Sequence, residues 1–437
     1  MTGILLLVAM VLGGSGSAQD TIPLSLTNAE SRALAANSSL RASRLDALAA
    51  TKRTAETFGR HFGALDAVGV YNHYESDRSV RPMALDLITN PALGFAQLPW
   101  DRNQVHYGIT WQIPLLAAGT LHEGDQVARL SQSAAEHVAA FTREQILYNV
   151  RAAYRNGLIA NHALAAARAY QDALKRDSAD ADLKAHLGTW APVDLAKVTF
   201  ALLGAEAQSA DLEAQCRTAQ AYLAALMGEL PRPEGYALVD VPGKAVTSPG
   251  TVTAALASRS DLRATREGTR IFEHRKHLSL EAFAPQVLLQ GTYLRNDAPS
   301  LTHPLDTYEV NLLVKVPILS GLSRVFAVQE ADANLEAARQ RERAKELEVA
   351  AQVVEANGRL MSARALLQAG EAQRSLGREV ARVEHLRLEQ GTGNMEDYLA
   401  ARGQELAGET AYWRGLYTYQ SALDYMDFVS ARGDSHE

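Results

Sequence analysis

Residues 105–119 read VHYGITWQIPLLAAG, and residues 308–321 read YEVNLLVKVPILSG. In both stretches apolar residues alternate with polar ones, and a proline follows the alternation. It is Pro114 in the first stretch and Pro317 in the second. Alternation with a period of two is typical of a β-strand that has one apolar face. The same strand followed by the same junction at two places in one chain indicates an internal duplication.

Two further pairs of landmarks support this duplication. Residues 33–35 and 40–44 read ALA and LRASR, and residues 255–257 and 262–266 read ALA and LRATR. Together with the strands and their prolines, these landmarks occur in the same order in the two halves of the chain. We therefore predict two structural repeats, because ordered self-similarity is the signature of a repeated unit.

The N-terminus and the middle of the chain complete the predicted organisation. An apolar run followed by small residues up to Ala18 is typical of a secretory signal peptide. Prolines and glycines between the repeats mark a linker and not a helix. The predicted domains are a signal peptide (1–18), a first repeat (19–228), a linker (229–250), a second repeat (251–429) and a tail (430–437), each repeat containing a helix, a β-hairpin and a long helical hairpin.

Each repeat continues from its second strand into an unusually long helix. Residues 119–187 and 322–390 contain no proline and are rich in helix-forming residues. A helix of about 69 residues is roughly 100 Å long, since each residue adds about 1.5 Å. A compact domain does not hold such a helix, so we expect it to pack as an antiparallel coiled coil with its neighbours.

Shorter helices of two lengths accompany each long helix. One short helix of about 37 residues and one opening helix of about 32 residues together match one long helix. We therefore expect the short helices to stack end to end along each long helix, which makes a hollow helical tunnel. The short helices are predicted at 192–228 and 394–429, and the opening helices at 26–58 and 252–283.

The four predicted strands have a length suited to a membrane. Strands of about 10 residues cross a bilayer when they are tilted. Four strands do not close, and in lipid an open sheet edge costs several kcal/mol for each unsatisfied backbone group. Several protomers must therefore share one barrel. The predicted fold class is mainly α, with a small membrane β-barrel contribution of four β-strands per protomer, two repeats and long antiparallel coiled-coil helices.

The turns between the long and the short helices carry a repeated motif. A base is followed four residues later by a glycine and six residues after that by an aspartate. Glycine permits the left-handed conformation that ends a helix, and a base in the last turn suits the helix dipole. Helix capping alone explains both motifs. Their residues are Lys184, Gly188 and Asp194 in the first repeat, and Arg387, Gly391 and Asp397 in the second, while Pro192 suits the start of a helix.

Composition and motifs exclude several classes of function. The chain has 43 Lys and Arg residues and 50 Asp and Glu residues, which are interspersed, so nothing indicates a nucleic-acid partner. It carries no nucleophile elbow, phosphate loop or metalloprotease motif, so we expect no enzyme activity and no cofactor. His274 and His277 are three residues apart on a predicted helix, but no third ligand has a spacing that places it nearby. We therefore predict no metal site.

These features resemble those of the TolC-like outer-membrane efflux proteins. The resemblance covers nearly the whole mature chain, through the strand-proline-helix junctions, the opening-helix pattern and the base-glycine-aspartate turns. It implies a homotrimeric α/β barrel duct, with a twelve-stranded barrel in outer-membrane lipid and an α-helical tunnel that extends into the periplasm. Such a duct is a passive conduit. It works with a periplasmic adaptor protein and an inner-membrane pump of the RND or ABC type, or serves type I secretion.

The resemblance also implies roles for the motif residues. Asp397 and Asp194 would line the pore aperture, since a trimer presents each of them as a ring of carboxylates. The helix reversals would dock the adaptor. The residues of the tips are Lys184, Gly188, Pro192, Arg387, Gly391 and Gly393, and those of the strand-to-helix junctions are Pro114, Gly119, Pro317 and Gly321.

The chain departs from the family pattern at two positions of the second turn. Ala400 stands where the family has a second tunnel-lining aspartate, and Gly393 stands where it has an arginine of the closing network. An alternative interpretation is a periplasmic or secreted coiled-coil scaffold without a pore. Alternating strands and long helices also occur in such proteins.

Overall fold

The computed structural model describes residues 22–80, 99–117, 119–187, 190–243, 250–318 and 321–431. The chain divides into two compact units. The helical unit consists of residues 1–41, 143–255 and 352–437, and the sheet unit consists of residues 42–142 and 256–351. The predicted signal peptide and Gly188 lie outside the described residues.

The elements follow one another in the same order in both repeats. The first repeat contains β1 (Ile22–Leu24), α1 (Leu26–Ala36), α2 (Ser38–Gly59), β2 (Ala64–Ser79), β3 (Trp100–Leu116), α3 (Thr120–His186) and α4 (Pro192–Leu226). After it come β4 (Tyr236–Leu238), α5 (Val252–Ser258), α6 (Ser260–Glu281), β5 (Gln286–Asp297), β6 (Leu305–Lys315), α7 (Ser323–Glu389) and α8 (Met395–Val429).

The long and short helices have the lengths that the sequence predicts. α3 and α7 each contain 67 residues, and their ends lie within one residue of the predicted positions. α4 and α8 each contain 35 residues. Among the described residues, none of the helices is both long enough and apolar enough to cross a membrane.

The opening helices differ from the prediction, because each is broken once. Asn37 separates α1 from α2 with φ −62° and ψ 121°, and Arg259 separates α5 from α6 with φ −62° and ψ 127°. Both residues lie four positions after the start of their ALA landmark, so the break is itself repeated. The Asn37 side-chain oxygen caps α2 by accepting from the Ser39 N–H at 3.0 Å. Arg259 instead donates to the Asp261 carboxylate at 2.7 Å and 2.9 Å.

The sheet unit contains a four-stranded sheet in the order β2-β3-β5-β6. Every neighbouring pair is antiparallel. The β2–β3 hairpin comes from the first repeat and the β5–β6 hairpin from the second, so the pairing of β3 with β5 is the repeat seam. The ladder of the seam extends from Val105, opposite Asp297, to Leu116, opposite Val287.

This sheet has one apolar and one polar face, as the alternation predicts. In one cross-strand row Ile109 lies opposite Tyr293, and Tyr293 lies opposite Tyr308. In a row on the other face Gln112 lies opposite Gln290. Because successive side chains of a strand point to opposite faces, the pairing keeps the apolar rows on one side across all four strands.

The predicted linker contains a strand that the sequence analysis missed. β4 pairs with β1 in parallel, with Leu24 opposite Leu238. The Tyr154 hydroxyl donates to the Leu24 carbonyl at 2.6 Å and accepts from the Val239 N–H at 2.9 Å. Tyr154 is fully buried and belongs to the core of the helical unit. Leu24 of β1 and Val239, just after β4, are therefore held together by the same tyrosine.

In the helical unit, α7 and α8 approach each other closely through glycines. A Cβ atom added to Gly370 would lie 2.7 Å from the Ala411 carbonyl oxygen, and one added to Gly408 would lie 2.6 Å from the Gln373 carbonyl oxygen. These distances are too short for any side chain. The contact between the two helices is therefore made by backbone and requires glycine.

Candidate functional site

The second helix reversal, between α7 and α8, is closed by hydrogen bonds to one backbone carbonyl. The Arg387 carbonyl oxygen accepts from the Thr392 N–H at 2.9 Å and from the Gly393 N–H at 3.0 Å. Gly391 has φ +71°, the left-handed conformation that the motif predicts. The Arg387 guanidinium lies in the last helical turn and pairs with Glu384 at 2.8 Å.

The first reversal, between α3 and α4, contains the equivalent backbone bond. The Trp190 N–H donates to the Lys184 carbonyl oxygen at 3.3 Å. In the second reversal the Gly393 N–H donates to the Arg387 carbonyl oxygen in the same way. The Lys184 ammonium lies 4.4 Å from the centre of the Trp190 ring, a cation–π contact. In the second reversal glycine is required at this place, because a Cβ on Gly393 would lie 2.9 Å from the Arg387 Cβ.

The two candidate aperture residues have different local partners. Asn394 caps α8, since its side-chain oxygen accepts from the Asp397 N–H at 2.7 Å and its amide donates to the Asp397 carboxylate at 2.8 Å. Asp397 is exposed, and Asp194 is half-buried in the first turn of α4. Pro192 occupies the start of α4, as predicted, where no side chain caps the helix.

The tips of the two repeats are joined by a small core that the sequence analysis missed. Ala181 and Val198 of the first repeat pack with Met395 and Tyr398 of the second. The Tyr398 hydroxyl donates to the Asp177 carboxylate at 2.9 Å. Burial and the negative charge of Asp177 raise the pKa of Tyr398 far above its usual value, so the phenol keeps its proton. The spacing of these residues in sequence gave no signal for the contact.

The strand-to-helix junctions lie at the ends of β3 and β6. Pro114 lies opposite Leu288, and the register of the seam shifts between Pro114 and Leu116. A proline has no N–H to donate, so it suits such an irregular position in a sheet. Pro317 lies just beyond the end of β6.

Glycines in the left-handed conformation stand between these prolines and the long helices. Gly119 has φ +77° immediately before α3. Gly321 has φ +60°, and Leu322 continues in the same conformation with φ +66° before α7. The chain therefore turns sharply from strand to helix at the same place in both repeats.

Comparison with a family model gives a match in the second half of the chain. Residues 251–426 match the family described as outer membrane efflux protein. No curated protein matches the sequence.

Solved structures share the fold over nearly the whole chain. A membrane protein from Pseudomonas aeruginosa has a TM-score of 0.78 and 20% identity, covering 93% of both chains. The outer membrane channel CmeC of Campylobacter jejuni has a TM-score of 0.81 and 16% identity, covering 94% of this chain and 87% of that one. The outer membrane channel MtrE of Neisseria gonorrhoeae, in its open state, has a TM-score of 0.74 and 16% identity, covering 93% and 88%.

The family match and the shared fold agree with the predicted class of protein, an outer-membrane efflux channel. Members of this family are passive outer-membrane channels with a helical tunnel that extends into the periplasm. This confirms the predicted fold class, location and absence of enzyme activity, and it disfavours a scaffold without a pore. Residues 251–426 thus match the outer membrane efflux protein family, and nearly the whole chain shares the fold of TolC-like outer-membrane efflux channels.

Proposed function

We propose that three copies of this channel form the outer-membrane conduit of a tripartite efflux system. Outer-membrane efflux channels are homotrimers that work with an adaptor and an inner-membrane pump. For this chain we propose that the partners are a periplasmic adaptor and an inner-membrane pump of the RND or ABC type. An ABC-type pump is also compatible with type I secretion. We further propose that residues 19–228 and 251–429 are its two repeats, joined by residues 229–250.

The exposed apolar face of the sheet carries this proposal. Along β6, the side chains of Tyr308, Val310 and Leu312 lie on one face and are 85%, 63% and 61% exposed. A contiguous apolar patch of this kind is rare on a soluble monomer and suits lipid contact. The sheet ends at β2 and β6, and within the described residues neither has a second partner strand. Neighbouring protomers in the membrane would supply that pairing.

The assembly is tested with the full chain purified from outer membranes in detergent. We expect native mass spectrometry to give three copies, migration on gels to change on heating, and planar bilayers to show channels of one conductance. A monomer found only in the soluble periplasmic fraction would contradict the proposal.

The tips are the proposed narrow end and adaptor-docking surface of the channel. Lys184 and Arg387 place one base at each reversal, and the small core around Tyr398 holds the two reversals together. The start of α8 is capped by Asn394, and the small core joins the two reversals, which supports a defined docking surface. The proposed tip residues are Lys184, Gly188, Pro192, Arg387, Gly391 and Gly393, and the proposed junction residues are Pro114, Gly119, Pro317 and Gly321.

Asp397 and Asp194 are the proposed aperture residues, and Asp397→Asn provides the sharper test. Asparagine keeps the contacts with Asn394 that cap α8 but removes one negative charge from each protomer. We expect block by hexaamminecobalt(III), added on the tunnel side of a planar bilayer, to weaken about tenfold or more, because a ring of like charge concentrates counter-ions to that degree.

Glu396→Gln is the matched control for this experiment. Glu396 is the exposed neighbour of Asp397 and lies 3.7 Å from Lys197, so its substitution removes the same charge from the same turn. We expect cation block to change little in this variant. Equal effects of the two substitutions, or an unchanged block in Asp397→Asn, would refute the aperture role.

A further inference from the structure

The sheet unit contains a cluster of three side chains that bind metals in other proteins. Glu123 lies in the first turn of α3, and His274 and His277 lie on α6. Nδ1 of His274 is 2.6 Å from one Glu123 oxygen, and Nδ1 of His277 is 3.9 Å from the other. One ligand atom from each residue lies within 4.8 Å of those of the other two.

The cluster combines a buried carboxylate with accessible imidazoles. Glu123 is only 9% exposed, whereas His274 is half-buried and His277 is exposed. A buried carboxylate needs a cationic or hydrogen-bonding partner. His274 supplies a hydrogen bond to one oxygen, but the distance from the other oxygen to His277 is too long for one.

A second carboxylate follows on the same helix. Glu281 lies one turn after His277 on α6, at a spacing that puts the two on one face. Its Oε2 atom is buried and has no hydrogen-bond partner among the described residues. An unpaired buried carboxylate oxygen is unusual, and it adds to the negative charge at this end of α6.

We propose that Glu123, His274 and His277 bind a divalent transition-metal ion of the zinc type. Two imidazoles and one carboxylate form a donor set that Zn²⁺, Co²⁺ and Ni²⁺ accept, and such a set leaves a coordination position for water or for Glu281. The site lies within one protomer and belongs to neither the tips nor the strand-to-helix prolines. It is therefore independent of the proposed pore aperture.

The position of the cluster indicates what the ion does. α3 begins just after β3, and α6 ends just before β5, so the two helix ends flank the two strands of the repeat seam. An ion held by Glu123 and the two histidines ties the first repeat to the second at this seam. Because it binds only the folded arrangement, it stabilises that arrangement.

The experiment uses the full chain, purified in detergent and stripped with a chelator. Titration with CoCl₂ is expected to give the visible absorption bands of low-coordinate Co²⁺, saturating at one ion per chain and removed by added ZnCl₂. Zinc is expected to raise the melting temperature of the stripped protein. In His277→Ala and in Glu123→Gln we expect at least about a hundredfold weaker cobalt binding, since loss of even an outer-shell partner costs about 10–100-fold.

His61→Ala is the matched control. His61 lies 2.8 Å from Asp125, two residues along α3 from Glu123, and so forms a similar histidine-carboxylate pair. Among the described residues this pair belongs to no cluster of three possible metal ligands. We expect this variant to bind cobalt as the unaltered chain does. His277 is exposed, so its removal leaves the fold intact and a loss of binding there reports on the site. Absence of saturable binding, or equal loss in His61→Ala, would overturn the proposal.

Discussion

Replacing Asp424 with leucine is expected to lower the free energy of unfolding by about 3–5 kcal/mol, because it leaves the buried Arg155 guanidinium without its counter-charge. Arg155 and Asp424 are each 3% exposed, and Nε and Nη2 of Arg155 both lie 2.6 Å from one Asp424 oxygen. Arg155 also donates to the side chain of Gln420. Leucine removes the two contacts that Arg155 makes with the Asp424 carboxylate, and it has no polar atom to replace them.

A double variant separates the charge effect from simple damage to the core. Arg155→Met together with Asp424→Leu removes both charges, and we expect it to be markedly more stable than Asp424→Leu alone, since a buried ion pair can often be replaced by apolar residues at little cost. The exposed pair of Arg382 and Glu379 on α7 is the control, and its removal is expected to change stability little.

The measurement is thermal unfolding in detergent, followed by circular dichroism. If the double variant were as unstable as the single one, packing volume rather than the unpaired charge would explain the loss.

The long elements were predictable because their signals are local. α3 and α7 carry no proline over 67 residues each, and the alternation along β3 and β6 assigns their apolar face. The end of α7 was predictable for the same reason, since a base followed by a glycine in the left-handed conformation is a common way for a helix to end. Each of these signals is contained within a few turns of the chain.

The missed features depend on residues that are distant in sequence. The break at Asn37 is fixed by a bond from its side-chain amide to the Leu226 carbonyl, 189 residues away, and asparagine is tolerated inside many helices. β4 has only three residues, and it becomes a strand by pairing with β1.

The candidate sites also depend on contacts between residues that are distant in sequence. His274 lies 151 residues from Glu123, and Tyr398 lies 221 residues from Asp177. Spacing in sequence therefore predicted the capping motifs but neither the metal cluster nor the contact that joins the tips.

Gly408→Ala is expected to destabilise the helical unit, although alanine is the better helix former. The new Cβ would lie 2.6 Å from the Gln373 carbonyl oxygen, which is backbone of α7 and does not turn aside as a side chain does. Forcing extra volume into a packed contact costs about 1–3 kcal/mol. Alanine is favoured over glycine in a helix by about 1 kcal/mol, which is smaller than this packing cost or comparable to it. We therefore expect a net loss in the free energy of unfolding.

Gly403→Ala is the matched control on the same helix, and we expect the opposite sign. Nothing lies within 4 Å of a Cβ at Gly403, so alanine should raise the free energy of unfolding by up to about 1 kcal/mol. Thermal unfolding of both variants in detergent makes the comparison. Stabilisation by Gly408→Ala would show that α7 and α8 do not touch there.

The first repeat explains why this requirement was not visible in the sequence. The position equivalent to Gly408, counted from the aspartate of each turn motif, is Ala205 on α4, which is also buried. The first repeat therefore accommodates a Cβ at this buried position, whereas the equivalent position of the second repeat requires glycine. We expect Ala205→Gly to lower the free energy of unfolding by leaving a gap and loosening the helix, where the same residue type at position 408 is required.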